Sequence, residues 1–298
     1  MERPDDDSRS SPPRPQVLYV MGAGRSGSTI LGVTLGNCER VFYAGELDAW
    51  LARSGEPQVA GEEQTRFWSA VRERVDGAAA LFGHEVQRAI ERSLSLLRIN
   101  KWPARRRLRG PYRKDSESLF TAICGEAGTP FIVDTSHYPL RARELQALSG
   151  IDLYLLYLVR DPRSVVASFA RKDVAQYSKS VLTTNVYLWL TNALATYVFL
   201  RHPRERRLFV RYEDFVADPQ QVVGGILATA SLSVPAPNFQ ALRTGIPFQG
   251  NRVIRSEVIA LESGPAPRPG PAPTTKLLQL PWTLALSRLQ PRTSGAGG

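Results

Sequence analysis

The stretch that most constrains the fold is residues 17–31. An apolar run (Val17, Leu18, Tyr19, Val20, Met21) leads through Gly22-Ala23-Gly24-Arg25-Ser26-Gly27-Ser28-Thr29 into Ile30 and Leu31. The run is rich in residues that favour strands, the glycines mark a tight turn, and the pattern after them is compatible with a helix. A short loop between a strand and a helix N-terminus leaves several backbone N–H groups unpaired and aimed one way. The helix dipole adds to their attraction for an anion. The stretch therefore predicts a phosphate site; which phosphate is a separate question.

Spacing alone supports two answers. Gly22 to Thr29 nearly fits G-x-x-x-x-G-K-[ST], but Ser28 stands where that loop carries lysine, so an ATPase or kinase would lack its main cation. Gly22, Gly24 and Gly27 also fit G-x-G-x-x-G, with Glu46 at roughly the distance of a ribose-binding carboxylate. That keeps a NAD(P)- or flavin-dependent oxidoreductase open. The string Gly24-Arg25-Ser26-Gly27-Ser28-Thr29 gives a third answer, because it resembles the 5′-phosphosulfate loop of sulfotransferases. These enzymes use 3′-phosphoadenosine 5′-phosphosulfate (PAPS) as sulfate donor. The resemblance implies a P-loop shape whose cation has moved to Arg25, with Ser28 and Thr29 as added donors. The loop alone leaves all three open.

At 298 residues and 43% hydrophobic, the chain suffices for one sizeable domain with a helical insertion. A formal charge of +10 is compatible with an anionic ligand, nucleic acid or a membrane surface. Arginine outnumbers lysine, a bias that GC-rich coding produces by itself, so the charge carries little functional weight. Cys38 and Cys124 are too few for a disulfide framework or a metal site, and suit a reducing cytoplasm. Residues 1–15 lack an apolar core and read as a disordered tail rather than a signal peptide. Residues 181–200 carry no charge, but Thr183, Thr184, Asn185, Thr191 and Asn192 argue for a buried helix rather than a membrane span.

Apolar periodicity predicts helices at 29–36, 116–127, 141–148, 165–171, 220–230 and 275–289, with two more in 62–98 broken around Asp76 and Gly77. Strands are expected at 41–44, 130–133, 153–159 and 208–210, the run at 153–159 reading as a central parallel strand covered on both faces. The alternation predicts an α/β fold, with a mostly parallel central sheet flanked by helices and its ligand at the carboxyl ends of the strands. The expected organisation is a tail at 1–15, one domain at 16–263, a Pro-rich linker at 264–274, a C-terminal helix at 275–290 and a tail at 291–298. Residues 53–114 form the helical insertion and the expected acceptor region. The basic run at 101–109 reads as solvated surface or, failing that, as a lid or acceptor-site rim. A nucleic-acid patch would need more interleaved aromatics than Trp102 and Tyr112. No internal repeat is present, and the oligomeric state is not legible.

Further blocks extend the resemblance over residues 17–252. Sulfotransferases bind the donor's 3′-phosphate with an arginine just after a central strand and a serine eight positions later; here Arg160 and Ser168 hold those places. The same residues fit an ordinary strand–helix corner. Arg211-Tyr212-Glu213-Asp214-Phe215 is similar to the family's RYED block, and Gly250-Asn251-Arg252 to a loop that closes over the adenosine 3′-phosphate. Trp189 and Asn192 match a W-x-x-N helix. Together the matches identify a member of the PAPS-dependent sulfotransferase family, bacterial in type, with a three-layer P-loop-type fold. The implied donor site is Gly24, Arg25, Ser26, Gly27, Ser28, Thr29, Arg160, Ser168, Tyr212, Asn251 and Arg252. No metal is called for, since fixed cations serve instead. Catalysis falls to Arg25 and to a base, Glu46 or His137. Glu46 matches a catalytic glutamate, and its apolar neighbours would raise its pKa. His137 stands where the family's Asp-Ser-Ser-Lys block has lysine, and is either a weaker, pH-dependent cation or the base. The implied reaction is O-sulfation of a small-molecule, lipid or glycan acceptor by a cytoplasmic biosynthetic enzyme, with PAP as product and neither nucleic acid nor membrane as partner. A basic protein that binds nucleic acid or an anionic surface through residues 105–109 is the non-enzymatic alternative.

Overall fold

The computed structural model describes residues 14–58, 61–170, 180–261 and 273–289. The expected tail at 291–298, residues 1–13 of the N-terminal tail and most of the expected linker lie outside these. In chain order the elements are β1 (Gln16–Gly22), α1 (Ser28–Gly36), β2 (Val41–Gly45), α2 (Glu62–Arg74), α3 (His84–Ile90), α4 (Trp102–Ala127), β3 (Phe131–His137) and α5 (Pro139–Leu145). They continue with β4 (Asp152–Val159), α6 (Pro162–Phe169), α7 (Val181–Leu200), β5 (Arg207–Arg211), α8 (Tyr212–Ala217), α9 (Pro219–Thr229), the short antiparallel pair β6 (Leu242–Arg243) and β7 (Val258–Ile259), and α10 (Pro273–Ser287).

Strands β1 to β5 form one parallel sheet in the order β2-β3-β1-β4-β5. The middle strand is β1, and β4 beside it is an interior strand with parallel partners on both sides, as the apolar run at 153–159 predicts. Both are buried on both faces, which is why neither alternates apolar with polar residues. Successive β1 side chains serve opposite cores. Val17, Tyr19 and Met21 pack with Trp50, Trp68, Phe120 and Phe248, whereas Leu18 and Val20 pack with Leu31, Phe215 and Ile226. The result is a three-layer α/β fold of P-loop type.

The strand order also locates a cleft. From β1 the chain passes to edge strand β2, whereas from β3 it crosses β1 to reach β4. The connections after β1 and β4 thus leave the sheet in opposite senses, with Gly22 paired to Leu158 at the divergence. In open α/β sheets ligands bind at such a switch point.

The basic run is solvated only in part. It forms the first turns of α4, which begins at Trp102 rather than near residue 116, helped by Pro103 in the first turn. Arg105 is buried. With Arg109 and Arg113 it surrounds the buried carboxylate of Glu144 on α5, at 3.7, 2.9 and 2.8 Å respectively. Only part of the run, including Arg106 and Arg107, is solvated. Helix α7 is half-buried rather than buried: Thr184, Asn185, Thr191 and Asn192 face the protein, while Val181, Leu182, Val186 and Leu200 are exposed. Trp189 lies on α10, donating from Nε1 to the Leu278 carbonyl at 2.8 Å and stacking edge-on against Trp282. No helix among the described residues is long and apolar enough to cross a membrane.

Removing one partner of a buried charge cluster strands the others in low dielectric. Glu144→Ala is therefore expected to lower stability by about 3 kcal/mol, measured by urea unfolding, and to leave the glycine loop unchanged.

Candidate active site

Two residues give the loop after β1 its shape. Arg25 and Gly27 both have positive φ, 69° and 95°, which turns successive N–H groups toward one concavity. Gly27 precedes α1 in a left-handed conformation, and no side chain caps the helix start. A Cβ there would lie 2.3 Å from the Tyr212 ring, so only glycine allows this contact. Helix α6 is the contrast: the carboxylate of Asp161 accepts from the N–H groups of Arg163 and Ser164 and so closes its own N-terminus. Of these two helix starts beside the cleft, α1 is the one left open to an anion.

The separated motifs meet at this opening. The Arg160 guanidinium donates from Nη1 to the Arg25 carbonyl at 3.2 Å and lies over the Tyr212 ring, 4.4 Å from its centroid. Arg25 in turn donates from Nε to Ser168 Oγ at 3.0 Å. The Asn251 N–H reaches Thr29 Oγ1 at 3.4 Å, and the Asn251 side chain caps the short turn Arg252–Arg255. The side chain of Arg252 is at the surface. Ser26 and Ser28 are buried in the loop, and the Gly24 N–H donates to Tyr187 Oη at 2.8 Å. Two polar atoms here, Ser26 Oγ and Arg160 Nε, are buried without a hydrogen-bond partner. Buried polar atoms are normally satisfied, so this pair fits a site that receives an oxyanion.

Glu46 follows β2, where the chain is held tightly from outside. Gly45 has φ +82°, and a Cβ on it would lie 2.3 Å from the Gln249 carbonyl. That carbonyl accepts from the Glu46 N–H at 2.7 Å, and Ala44 accepts from the Phe248 N–H at 2.8 Å. Desolvation raises the Glu46 carboxyl to about 7, with Asp134 adding to the rise and Gln249, Arg25 and Arg92 opposing it. The turn Leu47–Ala49 beyond it is tethered to the end of β3: the Asp48 N–H donates to Ser136 Oγ at 2.8 Å, and the Ser136 N–H donates to Asp134 at 2.9 Å.

His137 lies beside the same loop. Its ring lies tilted by 37° against that of Tyr138 with centroids 4.3 Å apart, and a Cβ on Gly24 would sit 3.7 Å from its Nε2. Burial, reinforced by the charge of Arg92, pushes the imidazole down to about 4, so it is neutral at pH 7. Of the two roles expected for residue 137, cation or base, a neutral imidazole suits the second.

Spacing did not single out Tyr187, Gln249 or Arg92. Tyr187 and Arg92 lie in helical and turn segments whose orientation toward the loop is set by tertiary packing, and nothing local marks them. Gln249 adjoins Gly250-Asn251-Arg252 and reaches Glu46 through both its carbonyl and its side chain, a contact that sequence cannot reveal. Among the described residues no group of three or more His, Cys, Asp or Glu side chains is placed to hold a metal.

Comparison with known proteins gives a consistent picture. A family described as the sulfotransferase family matches residues 16–236. The fold is similar to a sulfotransferase domain from the curacin biosynthetic pathway, with a TM-score of 0.53 and 18% identity over 90% of this chain and 98% of that one. It is also similar to the sulfotransferase domain of an olefin synthase from Synechococcus PCC 7002, with a TM-score of 0.52 and 18% identity over 92% of this chain and 95% of that one. No curated protein matches the sequence.

The raised carboxyl of Glu46 has a consequence for stability. Between its ordinary value of 4.5 and about 7 the folded chain binds more protons than the unfolded one, so this residue's contribution falls as pH rises through that window. Glu46→Gln removes the dependence. Urea unfolding is expected to show the variant gaining on the wild type between pH 5 and pH 8.

Proposed function

The chain belongs to the sulfotransferase family, and from that premise we propose that it moves a sulfuryl group from PAPS to a hydroxyl of a small-molecule, lipid or glycan acceptor. One observation carries the reading: Arg160 and Ser168 from the β4–α6 corner, Tyr212 and Asn251, three separate parts of the chain, all contact residues 25–29 at the open start of α1. A dinucleotide site accounts for the glycines and leaves that convergence unexplained. The anionic-surface reading loses Arg105 and Arg109, which Glu144 engages.

PAPS would supply an activated sulfuryl group on a phosphate leaving group. The N–H groups at the start of α1, with Ser28 and Thr29, hold the 5′-phosphate, where charge grows as the bridging S–O bond breaks. Arg160, stacked on Tyr212, and Ser168 hold the 3′-phosphate, and Asn251 with Arg252 closes over it. Arg25 links the two ends through its side chain on Ser168 and its carbonyl under Arg160. Glu46 takes the acceptor's proton as the new S–O bond forms, and PAP departs with the electron pair of the broken bond. A carboxyl near 7 suits this role, being partly ionised at neutral pH and still basic enough to accept a proton. Neutral His137 is the other candidate base. Residues 53–114 are assigned to the acceptor side: Trp68 and Gln64 on α2 donate to the carbonyls of Ile246 and Pro247, just before the segment that fixes Glu46. A cytoplasmic setting belongs to the same proposal, supported by the unpaired Cys38 and Cys124.

Thermal unfolding with PAP, NAD or ATP tests the donor. PAP at a hundred times its dissociation constant should add about 2.7 kcal/mol, a shift of several degrees. Arg160→Ala should abolish that shift, and NAD should give none; a shift with NAD alone overturns the proposal. For the base, Glu46→Gln should lower kcat by about 10²- to 10⁴-fold with PAP affinity retained, read by PAP release across a panel of hydroxyl acceptors. The wild-type rate should rise with pH through about 7.

A further inference from the structure

Sulfuryl transfer needs positive charge at two places, the phosphates and the sulfuryl oxygens. On the phosphate side Arg160 lies over Tyr212 and Arg25 bonds Ser168. On the Glu46 side His137 is neutral at pH 7. Two cations act on Glu46, Arg25 and Arg92, and of these Arg92 is the one whose charge also reaches Asp48 and His137. The Arg92 guanidinium carbon lies 4.6 Å from the centroid of Tyr138, whose ring contacts His137 at a tilt, and His137 in turn abuts the loop at Gly24. Arg92 is half-buried and, among the described residues, makes no ion pair with a carboxylate.

Its position is fixed by the preceding residue. The buried carboxylate of Glu91 accepts from Arg141 Nη1 at 3.0 Å and from Tyr112 Oη, and Arg141 also pairs with Asp134 at 3.1 Å. Residue 91 is thereby pinned under the end of β3. Stacking on an aromatic ring uses the face of a guanidinium and leaves its in-plane N–H groups able to donate to an oxyanion.

We propose that Arg92 binds the sulfuryl oxygens of PAPS: held over Tyr138 beside Glu46 and His137, its N–H groups donate to the non-bridging oxygens of the sulfate. The assignment rests on the PAPS reading above. As the bridging S–O bond breaks and the acceptor oxygen bonds to sulfur, Arg92 keeps the transferring group in line while the acceptor's proton passes to Glu46 and PAP leaves.

Comparing PAPS with PAP isolates the sulfate, since PAP lacks it and shares every other group. Isothermal titration of the full chain with each is the test. Arg92→Ala should leave PAP affinity within about two-fold and weaken PAPS by about ten-fold or more, the loss of one charge-assisted hydrogen bond. Arg92→Lys, which keeps the charge, should recover part of the difference and guards against misreading a folding defect. Equal weakening of both nucleotides, or no change in either, overturns the role of Arg92 and leaves the PAPS reading intact. A wild-type protein that binds neither overturns that reading, and this one with it.

Discussion

The site depends on one contact, the hydrogen bond between the guanidinium of Arg160 and the carbonyl of Arg25. A left-handed residue in a tight loop is strained, and such a conformation persists only when its surroundings over-determine it. Here they do. Arg160 holds the backbone oxygen of Arg25, Ser168 holds its side chain, and the Tyr212 ring fills the space that any side chain at Gly27 would occupy. The parallel pairing of β1 with β4 makes this possible, because it brings the ends of the two strands into register at Gly22 and Leu158.

A second constraint lies beneath the first. Asp134, Glu91, Tyr112 and Arg141 form a buried network in which Arg141 bonds the other three. Buried charge of this kind is weak support for stability, and its better-attested use is to specify one arrangement. It connects the end of β3, the segment around residue 91 and, through Ser136, the turn after Glu46. The Glu46 side of the cleft thus rests on polar bonds, while the sheet rests on apolar packing.

Much of this was legible in the sequence. The loop, the strand before it and the arginine after β4 were readable because their chemistry is local: glycine spacing, an apolar run, a charged residue at a strand end. The apolar run at 153–159 marked a doubly covered interior strand, and burial on both faces is common to β1 and β4. The basic run misled because charge density says nothing about what lies opposite, and only folding brings Glu144 to Arg105. His137 was legible as a departure from a family pattern, but not its neutrality, which arises from burial and from a guanidinium 45 residues away. Likewise Tyr187 and Gln249 act through contacts with residues distant in the chain, and sequence spacing carries no trace of them.

The reach of the segment around residues 247–251 bears on how the protein is made. Its carbonyls and amides hold Ala44, Glu46 and Thr29, more than two hundred positions earlier. Contacts of such separation form late in folding, after shorter loops have closed. On the ribosome the sheet can assemble once β5 has emerged, but the backbone of Glu46 stays unanchored until residue 249 is out. The nascent chain therefore has its sheet well before the segment that anchors Glu46.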